Sequence, residues 1–181
     1  SYPGLLASTD DFYLMRGPKG NMVSMETTNP NYNASSYDLV RPQSVLYWQR
    51  VMAANGLASS GPEWMDLFAR HNSGTYNNMW MVLDYKLFTP HKPLAANTFW
   101  VGEQSPGYWH AEDQTHTLSY GYWPSYNKAL YPGTSSRTMQ DQMVREHGSY
   151  YSYSLTPRAE IVRRDQGNVT DESGMRRILR Y

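Results

Sequence analysis

The stretch that decides the fold covers residues 70–86 and reads RHNSGTYNNMWMVLDYK. Its first half gathers small polar residues around a single glycine, a composition typical of a turn held by hydrogen bonds from side chains to the backbone. Its second half predicts a strand in which Met79 and Met81 share one face and Trp80 and Val82 share the other. Because both faces are apolar, we expect this strand to be central in its sheet and the polar turn to form the floor of a site.

The composition of the 181 residues limits the classes of partner. Lys and Arg total 16, and Asp and Glu also total 16, so no net charge draws the chain to nucleic acid or to an anionic membrane. No apolar run approaches the ~20 residues that span a bilayer as a helix, so no transmembrane segment is predicted. Tyr is abundant, with 16 residues, which predicts an interior rich in hydrogen-bonded hydroxyls.

Periodicity and turn residues predict a mixed α and β domain. Strands are expected over 11–15, 22–28, 79–85 and 98–104, with a further strand around Tyr108. Helices are expected over 42–55, 61–70, 135–147 and 170–181, and either a helix or a strand begins at Pro157. Ser60 and Glu63 have the form of a capping box at the start of the second helix. The closing helix is expected to turn Met175, Ile178 and Leu179 toward the core.

Three polar residues lie where site residues are common. Thr28 ends the first predicted hairpin, Asn127 lies in a turn, and Arg158 lies in the first turn of its element, where a helix dipole disfavours a cation. Each residue also has an ordinary interpretation, as a β-branched strand end, as a turn asparagine bonded to its own backbone, or as a solvated arginine. The residues alone leave both interpretations open.

His110, Glu112 and His116 are the residues among which a metal site would be sought. Their spacing matches no zinc signature, and the chain has no cysteine to complete one, so no metal site and no cofactor are predicted. We interpret them as ordinary surface residues. No phosphate-binding loop, dinucleotide motif or repeat occurs, so spacing alone leaves the function open.

Several short blocks, in order along nearly the whole chain, closely resemble the phospholipase B-like family. The most specific block is NSGTYNN at residues 72–78. The others are SYPG at 1–4, DDFY at 10–13, ETT at 26–28, WM at 80–81, DYK at 84–86, EQ at 103–104 with PG at 106–107, SYN at 125–127, and PRA at 157–159 with RR at 163–164.

The resemblance implies the fold of N-terminal-nucleophile hydrolases, an α+β fold built as an αββα sandwich, of which residues 1–181 form part of a single domain. In such enzymes a cut makes a cysteine the first residue of a chain, and its α-amino group acts as the base. Carried over by position, the resemblance implies that Thr28 lines the nucleophile pocket, Asn127 donates to the tetrahedral intermediate and Arg158 orients the nucleophile. We expect the three to converge on one cavity.

The nucleophile itself is missing from this chain, because the resemblance places the family's cysteine some tens of residues before Ser1. We therefore expect a fragment of a longer precursor that is inactive alone and has the rest of that precursor as its partner. A serine nucleophile at Ser1 is the alternative, and it is disfavoured because residues 1–4 match an internal segment of the family.

These inferences predict a hydrolase acting on a lipid or acyl-amide substrate, in a lysosomal or secreted glycoprotein with sequons at Asn33 and Asn168. The alternative is a non-catalytic structural or interaction protein that keeps the fold. A carbohydrate-binding module is a third hypothesis. It requires tryptophans on an open face, whereas we expect most of them to be buried.

Overall fold

A computed structural model describes residues 10–18 and 20–181, and its centre is a five-stranded antiparallel sheet. The strands pair in chain order and are β1 (Phe12–Gly17), β2 (Gly20–Thr28), β3 (Asn78–Asp84), β4 (Phe99–Ser105) and β5 (Tyr108–Asp113). β3 is the middle strand, which confirms the prediction from its two apolar faces. The described residues contain this one antiparallel sheet and several helices, so the α+β class is confirmed.

The helices of the described residues lie between and after the strands. They are α1 (Tyr47–Leu57), α2 (Gly61–Ala69), α3 (Thr115–Leu118), α4 (Pro132–Arg137), α5 (Gln140–His147), α6 (Pro157–Asp165) and α7 (Glu172–Leu179). None of these helices is long and apolar enough to cross a membrane.

One face of the sheet packs against α1 and α2, which the chain inserts between β2 and β3. The buried ring of Trp80 lies 4.9 Å from that of Phe68 and 5.4 Å from that of Trp64. The two α2 rings stack on each other at 5.0 Å. Aromatic pairs at such distances add about 1 kcal/mol each beyond the area they bury, so these contacts fix α2 on the sheet.

The opposite face of the sheet carries a separate apolar core. Its buried members are Met79, Met81, Phe99, Val101 and Tyr131. The chain between α3 and α6 covers them, and the ring of Trp123 meets that of Phe99 edge-on at 5.2 Å. The sheet is therefore buried on both faces at β3 and β4.

The start of α2 follows its sequence signal. The backbone N–H of Glu63 donates to the hydroxyl of Ser60 at 3.4 Å, and the carboxylate of Glu63 accepts from the backbone N–H of Ser59 at 2.7 Å. This arrangement satisfies two donors near the end of the helix and confirms the predicted boundary.

The helix predicted over 42–55 is shifted in the structure. It begins only at Tyr47, because Val45 pairs with Asn72 in an isolated parallel bridge, and Gly56 lies inside its last turn. Its buried side is formed by Arg50, Val51 and Ala54. The predicted helix therefore started too early.

The predictions for the later helices are wrong in two respects. The helix over 135–147 is two helices, since Met139 adopts a left-handed φ of 59° between α4 and α5. In α7, Met175 and Leu179 are exposed, so the apolar stripe of this helix does not enter the core. At Pro157 the structure has a helix, with the proline in its first turn.

Gly102 of β4 provides a test of the packing against α2. A Cβ atom there would lie 2.5 Å from the ring of Trp109 and 2.9 Å from the sulfur of Met65, so Gly102→Ala should destabilise the fold by about 1–3 kcal/mol. Gly56 has open space around it in α1, and Gly56→Ala should instead stabilise by about 0.5–1 kcal/mol. Thermal unfolding of both variants measures the difference. Equal midpoints would contradict the packing described.

Candidate active site

Thr28, Asn127 and Arg158 meet at the end of β2, although they lie far apart along the chain. The side-chain nitrogen Nδ2 of Asn127 donates to the carbonyl oxygen of Thr28 at 2.8 Å. Arg158 donates through Nη1 to Oδ1 of Asn127 at 3.1 Å and through Nη2 to the carbonyl oxygen of Tyr126 at 2.8 Å. Thr28 and Arg158 are exposed and Asn127 is half-buried, so this hydrogen-bonded group faces outward.

The loop that carries Asn127 is joined to β2 at two neighbouring points. The hydroxyls of Thr27 and Ser125 are hydrogen-bonded to each other, and the Thr28–Asn127 contact lies beside them. Asn127 has a left-handed φ of 54°, a conformation that asparagine adopts more readily than most residues. Its side chain donates a hydrogen bond to the backbone of β2 rather than to its own turn, which distinguishes Asn127 from an ordinary turn asparagine.

Glu103 of β4 anchors the same loop from inside the protein. Its fully buried carboxylate accepts from the backbone N–H groups of Leu130 at 2.7 Å and Tyr131 at 3.1 Å. It also accepts from Nδ2 of Asn29, the residue after β2, at 3.2 Å. Burial raises the pKa of Glu103, and the hydrogen bonds it accepts oppose that rise. One side chain thus positions both segments that meet at the site.

The turn at 72–78 has the side-chain hydrogen bonds that its composition predicts. Oδ1 of Asn72 accepts from the N–H of Gly74 at 2.8 Å, and Nδ2 of Asn77 donates to the carbonyl oxygen of Gly74 at 2.9 Å. Gly74 has a left-handed φ of 68°, and a Cβ there would lie 2.8 Å from Cα of Pro106. Only glycine fits this position without displacing the backbone of the next turn.

Gln104 and Arg50 hold this turn against the helices. Gln104 donates to the carbonyl oxygen of Thr75 at 3.1 Å and to Oδ1 of Asn77 at 2.9 Å, while its own Oε1 accepts from Arg50. Arg50 is buried in α1 and donates to two further backbone carbonyl oxygens. Burial lowers its pKa to about 10, so it stays charged at neutral pH.

Tyr76 of the turn connects Thr28 to a buried carboxylate. Its side chain forms a hydrogen bond with the side chain of Thr28, and it interacts with Glu26 on the same face of β2. The hydrogen bond with Thr28 lowers the pKa of Tyr76. Burial and the charge of Glu26 raise this pKa by more than the hydrogen bond lowers it, so the net shift is upward. Burial also raises the pKa of Glu26 to about 7, while Tyr76 opposes the rise and the charge of Asp11 adds to it.

A hollow of about 500 Å³ opens beside Arg158. Its walls come from α6, α7 and residues 121–126, and most of its lining is apolar, including Ile161, Met175 and Leu179. The exposed stripe of α7 therefore faces this hollow. Thr28 and Asn127 lie outside the lining, so the three predicted site residues share hydrogen bonds rather than the one cavity that we expected.

Sequence reasoning did not identify the residues that support the site. Arg50, Glu103 and Gln104 are buried polar side chains within apolar elements. The one sequence signal for these residues is the pair Glu103-Gln104 at the end of a predicted strand. The pair is among the blocks that resemble the family, but the resemblance assigns no role to it.

The histidines form no cluster of ligands. Nε2 of His110 lies 2.7 Å from Oε1 of Glu112, and the ring of His116 packs edge-on against that of Tyr120. The described part of the chain contains no group of three His, Cys, Asp or Glu side chains that would hold a metal ion.

The two sequons differ in their surroundings. Nδ2 of Asn33 donates to the carbonyl oxygen of Arg137 at 3.0 Å, and its Oδ1 accepts from the hydroxyl of Ser35. Asn168 is exposed at the end of a short 3-10 helix that follows α6. Asn168 is therefore the more open of the two positions.

The raised pKa of Glu26 predicts how stability depends on pH. Between pH ~4.5 and ~7 the folded chain binds more protons than the unfolded chain, so the free energy of unfolding should fall by about 2 kcal/mol as pH rises through this range. Glu26→Gln should remove this component, leaving the slope from Glu103, whose pKa is also raised. Urea unfolding at pH 5 and pH 8 measures both slopes. The same slope in both proteins would contradict the assignment to Glu26.

Comparison with known proteins identifies relatives along the whole chain. A family model described as phospholipase B matches residues 1–181. Phospholipase B-like 1 of Rattus norvegicus is 46% identical over 181 residues, which are 100% of this chain and 32% of that protein. Phospholipase B-like protein F of Dictyostelium discoideum is 44% identical over 179 residues, 99% of this chain and 31% of that protein.

A third relative, phospholipase B of Crotalus adamanteus, is 42% identical over 181 residues, again 100% of this chain and 32% of the relative. The chain therefore spans about a third of the length of these relatives. A full-length match to the family model, together with identities above 40%, leads to one conclusion: the chain belongs to the phospholipase B family.

Proposed function

We propose that the chain is part of a hydrolase that cleaves acyl esters or amides, and that Thr28, Asn127 and Arg158 belong to its active site. The observation that carries this proposal is the continuous hydrogen-bonded path from the carbonyl of Thr28 through Asn127 to Arg158. The names of the relatives support the hydrolase class. The sheet would be one layer of an αββα sandwich of the N-terminal-nucleophile type.

The contacts of Asn127 suit an oxyanion donor. A guanidinium only donates hydrogen bonds, so the atom of Asn127 that faces Arg158 is the carbonyl oxygen, and Nδ2 faces Thr28. Of the two hydrogens on Nδ2, one serves the Thr28 carbonyl and the other remains for an oxyanion. The adjacent positive charge polarises the carboxamide and strengthens its N–H groups as donors.

The nucleophile would be a cysteine of the precursor outside this chain, set free at an amino terminus by cleavage. Its α-amino group would take the thiol proton, and the thiolate would attack the substrate carbonyl. Arg158, already fixed by Asn127 and Tyr126, would orient this group. The alternative nucleophile Ser1 lies outside the described residues. We expect the 181 residues alone to be inactive.

The hollow beside Arg158 supports a lipid or acyl-amide substrate. A volume of about 500 Å³ is within the range of small-molecule sites, about 300–1,000 Å³, and the mainly apolar lining suits an acyl chain. Arg158 lies at the edge of the hollow and contacts Asn127. An acyl chain bound in the hollow would therefore have its carbonyl end next to Asn127.

A lysosomal or secreted location is part of this proposal. The protonation of Glu26 favours the folded state in acid, and glycans at Asn33 and Asn168 would suit either location. Mass measurement before and after glycosidase treatment tests the two sequons, with Asn33→Gln and Asn168→Gln assigning each glycan.

A non-catalytic protein that keeps the fold is the second candidate. The exposed apolar stripe of α7 would serve an interface as readily as a substrate. The residue at the nucleophile position decides between the two, since a position without Cys, Ser or Thr would favour the non-catalytic protein. A carbohydrate-binding surface is disfavoured, because none of the six tryptophans is exposed.

Substitution in the complete, processed protein tests the roles. Asn127→Ala should lower acyl release by about 10²–10³-fold, because it removes an oxyanion donor. Arg158→Ala should also lose activity, whereas Arg145→Ala, at an exposed arginine of α5, should not. Thr28→Val keeps the carbonyl that binds Asn127 and tests the hydroxyl alone.

Release of fatty acid from phospholipids and from N-acyl amides is the measurement for these variants. Amino-terminal sequencing of the product confirms or rejects the cysteine start. A processed, folded protein that is inert on both substrates would overturn the hydrolase proposal, as would full activity of Asn127→Ala.

A further inference from the structure

Tyr76 is the one bulky residue of the 72–78 turn, and its backbone is strained. Its φ is 52°, in the left-handed region that large side chains rarely adopt. The turn holds it there, since Asn77 donates to the carbonyl oxygen of Gly74 at 2.9 Å and Gln104 donates to that of Thr75 at 3.1 Å. Strain that a fold maintains in this way is most common at functional sites.

The position of Tyr76 lets its hydroxyl link two side chains of β2. The backbone N–H of Asn29 donates to the carbonyl oxygen of Asn77 at 2.9 Å, so the turn runs directly beside the end of β2. Glu26 and Thr28 are two residues apart on this strand and therefore point to the same face. The hydroxyl of Tyr76 forms hydrogen bonds with both side chains. A chain of hydrogen bonds thus runs from Glu26 through Tyr76 to Thr28.

Glu26, at the inner end of this chain, changes its protonation near neutral pH. It is 6% exposed, and its Oε2 accepts no hydrogen bond from the described residues, an arrangement that disfavours the ionised form. Burial raises its pKa to about 7. The titratable groups that act on Glu26 are Asp11, Tyr13 and Tyr76, and Tyr47 of α1 acts in turn on the two tyrosines.

We propose that Tyr76 and Glu26 are positioning residues that decide whether the hydroxyl of Thr28 donates a hydrogen bond to the oxyanion of the reaction. The inference rests on the proposed hydrolase function. Thr28 is next to the oxyanion donor of that proposal, because its carbonyl oxygen accepts from Nδ2 of Asn127 at 2.8 Å. A second donor there would stabilise the charge that develops on the substrate carbonyl oxygen, whereas a lone pair would repel it.

The count of hydrogens sets the direction of the chain. Each hydroxyl has a single hydrogen, and an ionised carboxylate only accepts. When Glu26 is ionised it takes the hydrogen of Tyr76, Tyr76 accepts that of Thr28, and Thr28 presents only lone pairs to the site. When Glu26 is protonated it donates to Tyr76, Tyr76 donates to Thr28, and the hydrogen of Thr28 is left for the oxyanion. Asp11, the other group that bonds Glu26, is exposed, so water satisfies its oxygens. The acid form is therefore the active form.

The pH dependence of kcat/KM for acyl release by the complete, processed protein tests the proposal. As pH rises through about 7, the unsubstituted protein should lose about 100-fold in activity, the effect of losing one oxyanion donor. Glu26→Gln should remove this step, because its amide donates at every pH. Tyr76→Phe should remove it as well, because the hydroxyl of Thr28 then rotates freely. Tyr85→Phe is the matched control at an exposed tyrosine after β3 and should keep the step. Ratios of variant to unsubstituted protein cancel the titration of the nucleophile.

A second measurement needs no activity. The NMR signal of the Glu26 carboxyl carbon, identified by its loss in Glu26→Gln, gives the pKa of this group in the complete protein. The hydrogen bond from Tyr76 favours the ionised form, so Tyr76→Phe should raise the pKa of Glu26, and Tyr85→Phe should leave it unchanged.

An unchanged pKa of Glu26 in Tyr76→Phe would overturn the inference, and so would a step near pH 7 that persists in Glu26→Gln or Tyr76→Phe. Either result in an active protein would reject the roles of Tyr76 and Glu26 and leave the hydrolase standing. A protein inert on phospholipids and N-acyl amides, in which Tyr76→Phe still raises the pKa of Glu26, would reject the hydrolase and retain the hydrogen-bonded chain.

Discussion

The buried pair Glu103-Gln104 is the constraint on which the rest of this structure depends. The two side chains are adjacent on β4 and therefore point to opposite faces of the sheet. Glu103 binds Asn29 and the loop after Asn127 on one face, while Gln104 binds Arg50 and the 72–78 turn on the other. The hydrogen-bonded groups on the two faces of the sheet are thus both positioned by two adjacent residues of β4.

A polar arrangement of this kind is costly to bury unless every group has a partner. Glu103 accepts three hydrogen bonds and Arg50 donates three, so both buried side chains have their polar atoms satisfied inside the fold. The tyrosines contribute in the same way, since the hydroxyl of Tyr131 donates to the carbonyl of Val101 and that of Tyr153 to the carbonyl of Pro124. Some of the sixteen tyrosines thus form internal hydrogen bonds, as the composition predicts, while others, such as Tyr120 and Tyr181, are exposed.

The parts of the fold that could be predicted are those with local causes. β3 was identified from its alternating apolar faces and α2 from its cap, and both depend on residues close in sequence. The start of α1 depends on the bridge from Val45 to Asn72, and the break at Met139 on a left-handed residue within an otherwise helical pattern. Neither has a signal in the periodicity.

The candidate site shows the same limit more strongly. Only the resemblance brings Thr28, Asn127 and Arg158 together in one site, because hydrogen bonds between residues so distant along the chain leave no trace in local composition. Glu26 and Tyr76 were missed since their significance comes only from the face of β2 on which they meet. Burial, which sets the pKa of Glu26, is a property of the whole fold.

The packed rings of Trp64, Phe68 and Trp80 also give the molecule an optical property. Indoles whose centres are 5.4 Å apart share excitation energy, and their fixed mutual tilt makes the near-ultraviolet circular dichroism sensitive to small rotations. Undocking of α2 would change that signal, because it would separate Trp64 from Trp80. The chain thus contains an intrinsic pair of chromophores, one on α2 and one on β3, that reports without any label whether α2 is packed on the sheet.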